Sequence, residues 1–148
     1  MGGDRHERLG GARAAIVPLV IGESGHERLL AIREADPVMV VWWGTPVELV
    51  SALSRRERDG TLPAAVASAA VERVRRLERS WHQVAPTDVL RQRAQRLLRV
   101  HPLRAADRLQ LAAALSVAGD DPASVSFVTL DQRLLDAAQR EGLGVASL

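Results

Sequence analysis

The 148-residue chain has no cysteine, no tyrosine and no lysine. Without cysteine it has no disulfides, no thiol nucleophile and no thiolate zinc site. It has no run of ~18 apolar residues, so the sequence predicts no transmembrane helix. The opening residues, MGGDRHERLGGAR, contain acids and no long apolar stretch before a cleavage site, so they do not read as a signal peptide. The expectation is a soluble, cytoplasmic protein with no membrane partner. Aromatic residues make up 3% of the chain and number four: Trp42, Trp43, Trp81 and Phe127. Trp42 and Trp43 are expected in the core, which leaves little surface for base stacking.

The missing lysine also shapes the charge. All 20 basic residues are arginine, set against 18 acids, for a formal net charge of +2. The pI of about 10.7 overstates this basicity, because almost nothing titrates between histidine and arginine. Arginine grips phosphate through two parallel N–H groups. A GC-rich coding sequence would favour the same residue, so composition alone does not indicate nucleic acid.

What is present is an alternation of short apolar runs and amphipathic stretches, with 47% hydrophobic residues. AAIVPLVIG (14–22), PVMVVWW (37–43) and VSFVTL (125–130) read as buried strands, and LGVASL (143–148) as a last short one. Helices are predicted over 24–36, 45–60, 63–83, 87–101, 102–119 and 131–142, with residues 84–86 as an extended link and 120–124 as a turn. Thr45 and Thr87 are expected as N-caps, and Gly60 and Gly119 as stops. The pattern predicts an α/β fold with a parallel sheet, as one domain over 14–148 behind an atypical segment, 1–13. Val66, Ala70, Val74 and Leu77 recur at helical spacing. They pack inside the domain, or they offer a groove to a partner helix or a homodimer face.

In open parallel sheets, sites form beyond the carboxyl ends of the strands. Asp131 directly follows VSFVTL, and Glu48 lies one turn into the helix after PVMVVWW. Asp107 stands early in LRAADRLQLAAAL (103–115), a stretch of otherwise apolar and basic residues. Each acid has a plain explanation in helix capping or the helix dipole. Together they form a candidate oxygen-ligand set, since buried carboxylates need partners and a shared divalent cation satisfies several. Oxygen ligands favour Mg²⁺ or Mn²⁺ over zinc. His6, His26, His82 and His101 lack ligand spacing and read as surface or supporting groups.

TPVELVSAL (45–53), LRAADRLQLAAAL (103–115) and FVTLDQRLLDAA (127–138) resemble, in order and spacing, successive motifs of PIN-domain proteins, most closely the VapC-type toxins of bacterial toxin–antitoxin pairs. The resemblance implies a three-layer α/β/α sandwich with a mostly parallel sheet. It implies an endoribonuclease in which acids hold Mg²⁺ or Mn²⁺ and activated water hydrolyses RNA phosphodiesters. Glu48, Asp107 and Asp131 match the family's second, third and fourth acids, and Thr45 and Thr129 match hydroxyl positions that support the site. An antitoxin is the implied protein partner.

The family pattern also has an aspartate closing the first strand. Here Ala12 stands in that place and Ala14 in that of a following serine; Asp4 and Glu23 are the nearest substitutes. Three readings therefore stay open: a working ribonuclease; a PIN-fold protein that binds RNA or an antitoxin-like partner without cutting; and an unrelated α/β binding domain in which the three acids are separate helix caps. Arg96, Arg99, Arg104 and Arg108 form a candidate phosphate-contacting row, with a solvated helix surface as the plainer explanation.

Overall fold

The computed structural model describes residues 13–15, 39–129 and 131–147. Five strands form one sheet: β1 (Arg13–Ala15), β2 (Met39–Trp42), β3 (His82–Val84), β4 (Ser126–Thr129) and β5 (Gly144–Ser147). Their spatial order is β3-β2-β1-β4-β5, and every neighbouring pair is parallel. Parallel neighbours require crossover connections, and helices supply them. α1 (Thr45–Arg58) and α2 (Ala64–Glu78) join β2 to β3. α3 (Asp88–Val100) and α4 (Ala105–Ala118) join β3 to β4, and α5 (Gln132–Arg140) joins β4 to β5.

Strand alternation sends successive side chains to opposite faces of the sheet. Met39, Val41 and Val128 pack with Leu49, Leu53, Val74 and Leu77 of α1 and α2. Val40 and Phe127 pack with Leu90, Leu97, Leu111 and Leu134 of α3, α4 and α5. The result is an α/β sandwich with helices on both faces. Leu111 to Leu115 are all buried, as expected of a helix that is apolar nearly all round. Local signals set the ends of several helices. The Thr87 hydroxyl accepts from the Leu90 backbone N–H at 3.2 Å, capping α3. Gly119 closes α4 at φ 60°, where a side chain is disfavoured.

Several expectations change. The helix predicted over 63–83 ends at Glu78, and His82–Val84 forms an edge strand paired with Val40–Trp42. A three-residue strand is too short to show alternation, so only its neighbour reveals it. α4 begins at Ala105, with Arg104 as its N-cap, and Pro102 stays outside. Gly44, not Thr45, is the N-cap of α1; Thr45 is the first helical residue and makes no cap bond. Trp43 is not a core residue but is 55% exposed. On α2, Ala67, Ala70, Val74 and Leu77 pack inside the domain, while Val66 faces out. This face is therefore occupied by the domain's own core. His101, expected as a surface or supporting group, is buried at 4% exposure.

Ala12, Asp4, Glu23, His6, His26 and the helix predicted over 24–36 lie outside the described residues. Ala14 lies in β1. Among the described residues no helix is long and apolar enough to cross a membrane.

Candidate acidic site

The strand order runs outward from β1 in both directions, which opens a crevice beyond the carboxyl ends of the central strands. Glu48 arrives there from the first turn of α1, directly after β2. Asp131 arrives from the residue before α5, after β4. Asp107 lies in the first turn of α4, whose N-terminus comes to the same edge.

Glu48 is half-buried. Its Oε2 accepts a hydrogen bond from Nε2 of Gln110, 62 positions along the chain. Burial pushes its carboxyl above the ordinary value; the Gln110 bond opposes the rise, nearby Asp107 adds to it, and the Trp42 indole N–H opposes it again. Asp107 is also raised, first by burial and then by the charge of Asp131. Arg104, its backbone N–H and Arg108 work against that rise. Glu48 thus feels Asp107, and Asp107 feels Asp131: three sequence-distant acids share one field.

The plain explanations hold alongside this. The Arg104 backbone N–H favours the ionised Asp107 carboxylate, as the return arm of a capping box would. Asp131 caps α5, with Oδ1 accepting from the N–H of Arg133 at 2.9 Å and of Leu134 at 3.4 Å. Its own N–H donates to the Thr129 hydroxyl at 3.1 Å, so Thr129, buried at the end of β4, orients the turn that carries Asp131. Thr45 is buried at 1% exposure and its hydroxyl has no hydrogen-bond partner. The Gln110 Oε1 is also buried and unpartnered.

The donor set suits a hard divalent cation: mutually repelling carboxylates gain from a positive charge between them. Among the described residues, however, no three of His, Cys, Asp or Glu are drawn closely enough together to enclose a metal ion. A pocket of about 380 Å³ opens beside the acids, with Arg104, Asp107, Asp131 and Arg133 on its walls.

The expected arginine row is broken up. Arg108 is buried at 9% exposure and donates to the His101 carbonyl oxygen at 2.9 Å. Arg96 pairs with Glu141, Nη2 to Oε2, at 2.9 Å. Arg99 and Arg104 remain exposed. Glu141 also meets Nε2 of the buried His101 at 2.8 Å. Burial alone would raise the Glu141 carboxyl, but Arg96 and His101 together hold it below the ordinary value.

The sequence does not point to Gln110 or Arg133 as site residues, and it points to Trp42 only as core. Gln110 carried a usable signal, as a lone amide inside the apolar run LQLAAAL.

No family model matches the chain, and none of the curated proteins matches it. The fold is similar to the crystal structure of PAE2754 from Pyrobaculum aerophilum, with 19% sequence identity, a TM-score of 0.60, and coverage of 94% of this chain and 90% of that one. At that identity the likeness shows the α/β fold.

Proposed function

We propose that this protein is a PIN-type endoribonuclease dependent on Mg²⁺ or Mn²⁺, the toxin of a type II toxin–antitoxin pair acting in the cytoplasm. One observation carries the reading: Glu48, Asp107 and Asp131 come from three separate elements, Asp107 opposes the ionisation of Glu48 and Asp131 that of Asp107, and the last two line a pocket walled by Arg104 and Arg133. Ordinary helix caps do not need to face one another.

In this reading Glu48, Asp107 and Asp131 would hold the cation through direct and water-mediated contacts, and it would supply Lewis-acid polarisation of a phosphate oxygen. The chain's own groups do the rest. Gln110 and Trp42 fix the Glu48 carboxylate. Thr129 fixes the turn before α5. Arg104 and Arg133 balance phosphate charge at the pocket wall. Hydrolysis forms one P–O bond to water, breaks the P–O bond to the leaving ribose, and releases one proton. An antitoxin and a second copy of the chain are the protein partners of this reading, with exposed Val47 and Val66 as apolar surface for them.

A second reading is favoured by Ala12 at the position of the family's first aspartate. In it the protein binds RNA or an antitoxin-like partner without cutting. Calorimetric titration of Mn²⁺, with single-stranded RNA cleavage followed on gels, separates the two. Wild type is expected to bind Mn²⁺ and cleave, and Asp107→Asn to lose both. RNA binding with no cleavage at any Mn²⁺ concentration would establish the second reading in place of the first.

A further inference from the structure

Trp43 has no packing role that explains it. It is 55% exposed, whereas Trp81 and Phe127 are buried and Trp42 is partly buried against the core. An exposed indole leaves a large apolar face in water, and most such faces on a small chain find burial. Yet Trp43 is held in place. Its backbone N–H donates to the Val84 carbonyl oxygen at 3.1 Å, extending the β2–β3 ladder by one residue. Its ring meets the Trp42 ring edge to face, with centroids 6.1 Å apart and planes at 68°. The Trp42 indole in turn lies close enough to Glu48 to favour its ionised form. A chain of two rings therefore leads from an acid of the site to an open aromatic face.

The charges beside the acids add a second observation. Arg104 and Arg133 wall the pocket that contains Asp107 and Asp131. Cations and a rigid exposed ring at one sheet edge match the two halves of a nucleotide, phosphate and base. Single-stranded nucleic acids are held in this way, by a basic groove together with aromatic faces on which bases stack. A protein partner would find an apolar ring, but it would have no use for the arginines placed among carboxylates.

We propose that Trp43 is the stacking platform for a base of single-stranded RNA whose phosphate lies at the Arg104–Arg133 pocket. The proposal rests on the ribonuclease reading for its substrate. It predicts little sequence preference, because every base presents a flat face.

The test is fluorescence anisotropy with a labelled single-stranded 12-mer RNA, without divalent metal so that cleavage plays no part. Wild type, Trp43→Phe and Trp43→Ala are compared on the RNA and on a matched strand with abasic sites. Trp43 is exposed, so equal melting temperatures are expected to show that both variants fold. Trp43→Ala should bind the RNA about 5- to 150-fold more weakly, the range of one base–aromatic stack. Trp43→Phe should keep most of the affinity, and all three proteins should bind the abasic strand alike. Equal affinity of wild type and Trp43→Ala for the intact RNA would overturn the proposal, as would an equal loss on both strands. Base-dependent binding through Trp43 without cleavage when Mn²⁺ is restored would leave the stacking assignment standing and remove the nuclease.

Discussion

Gln110 donates its side-chain amide to the Oε2 of Glu48, joining the middle of α4 to the first turn of α1. Gln110 is buried, and Glu48 sits in a place that raises its proton affinity. The amide thus favours the ionised carboxylate at the point where burial and Asp107 oppose it. Gln110→Leu should destabilise the protein by about 1–3 kcal/mol near neutral pH, the cost of stripping a donor from a half-buried carboxylate. Urea unfolding would show the loss shrinking in acid, as Glu48 takes up a proton. A pH-independent loss would mean that Gln110 acts only through packing.

Glu48 and Asp107 both have raised folded-state values. The folded protein therefore binds these protons more tightly than the unfolded chain does. Their ionisation costs stability above the raised values, and that cost is relieved as pH falls through them. Without divalent metal, Asp107→Asn should melt higher than wild type in mildly alkaline buffer, and the gain should vanish toward acid pH. Added Mn²⁺ should stabilise wild type and leave the variant unchanged. A variant that melts lower at every pH would show that the capping bond to Arg104 outweighs the repulsion.

Glu141 has the opposite sign, since its folded value is lowered. Its contribution is present above the ordinary carboxylate value and is lost as pH falls through the lowered one. Glu141→Ala would leave the buried His101 imidazole without its partner, at about 1–3 kcal/mol. Arg96 is half exposed, so Arg96→Ala should cost only ~0–1 kcal/mol. Chemical denaturation of the two variants at neutral pH checks the order. Similar costs would mean that the ion pair, and not the histidine contact, supplies the stability.

Gly44 has an ordinary φ of −80°, so backbone strain does not require it. A Cβ there would collide with the indole Nε1 of Trp42. Gly44→Ala should push the indole aside, remove one donor from Glu48 and cost about 1–3 kcal/mol, as overpacking does. Because Trp42 and Trp43 are in contact, the variant's tryptophan emission should shift as well. An unchanged emission spectrum and melting temperature would show that the indole has room to yield.

The sequence determined what local chemistry controls. Val40, Phe127 and their neighbours are continuous apolar runs, so they had to be buried strands, and the helices between them made the sheet parallel. Thr87 and Gly119 ended helices by their own side-chain and backbone chemistry. Glu48, Asp107 and Asp131 stood out because acids after strands, among apolar neighbours, need an explanation. The tertiary structure decided whatever depends on a distant partner. β3 exists because β2 offers it an edge. Arg108 and His101 turn inward because a carbonyl oxygen and Glu141 wait for them, although an arginine or histidine in sequence looks the same whether paired or free. Trp43 turns outward, unlike Trp42 beside it, because β2 ends at Trp42 and the chain is already entering the turn before α1. Gln110 meets Glu48 through packing across 62 positions, a separation over which no periodicity carries information.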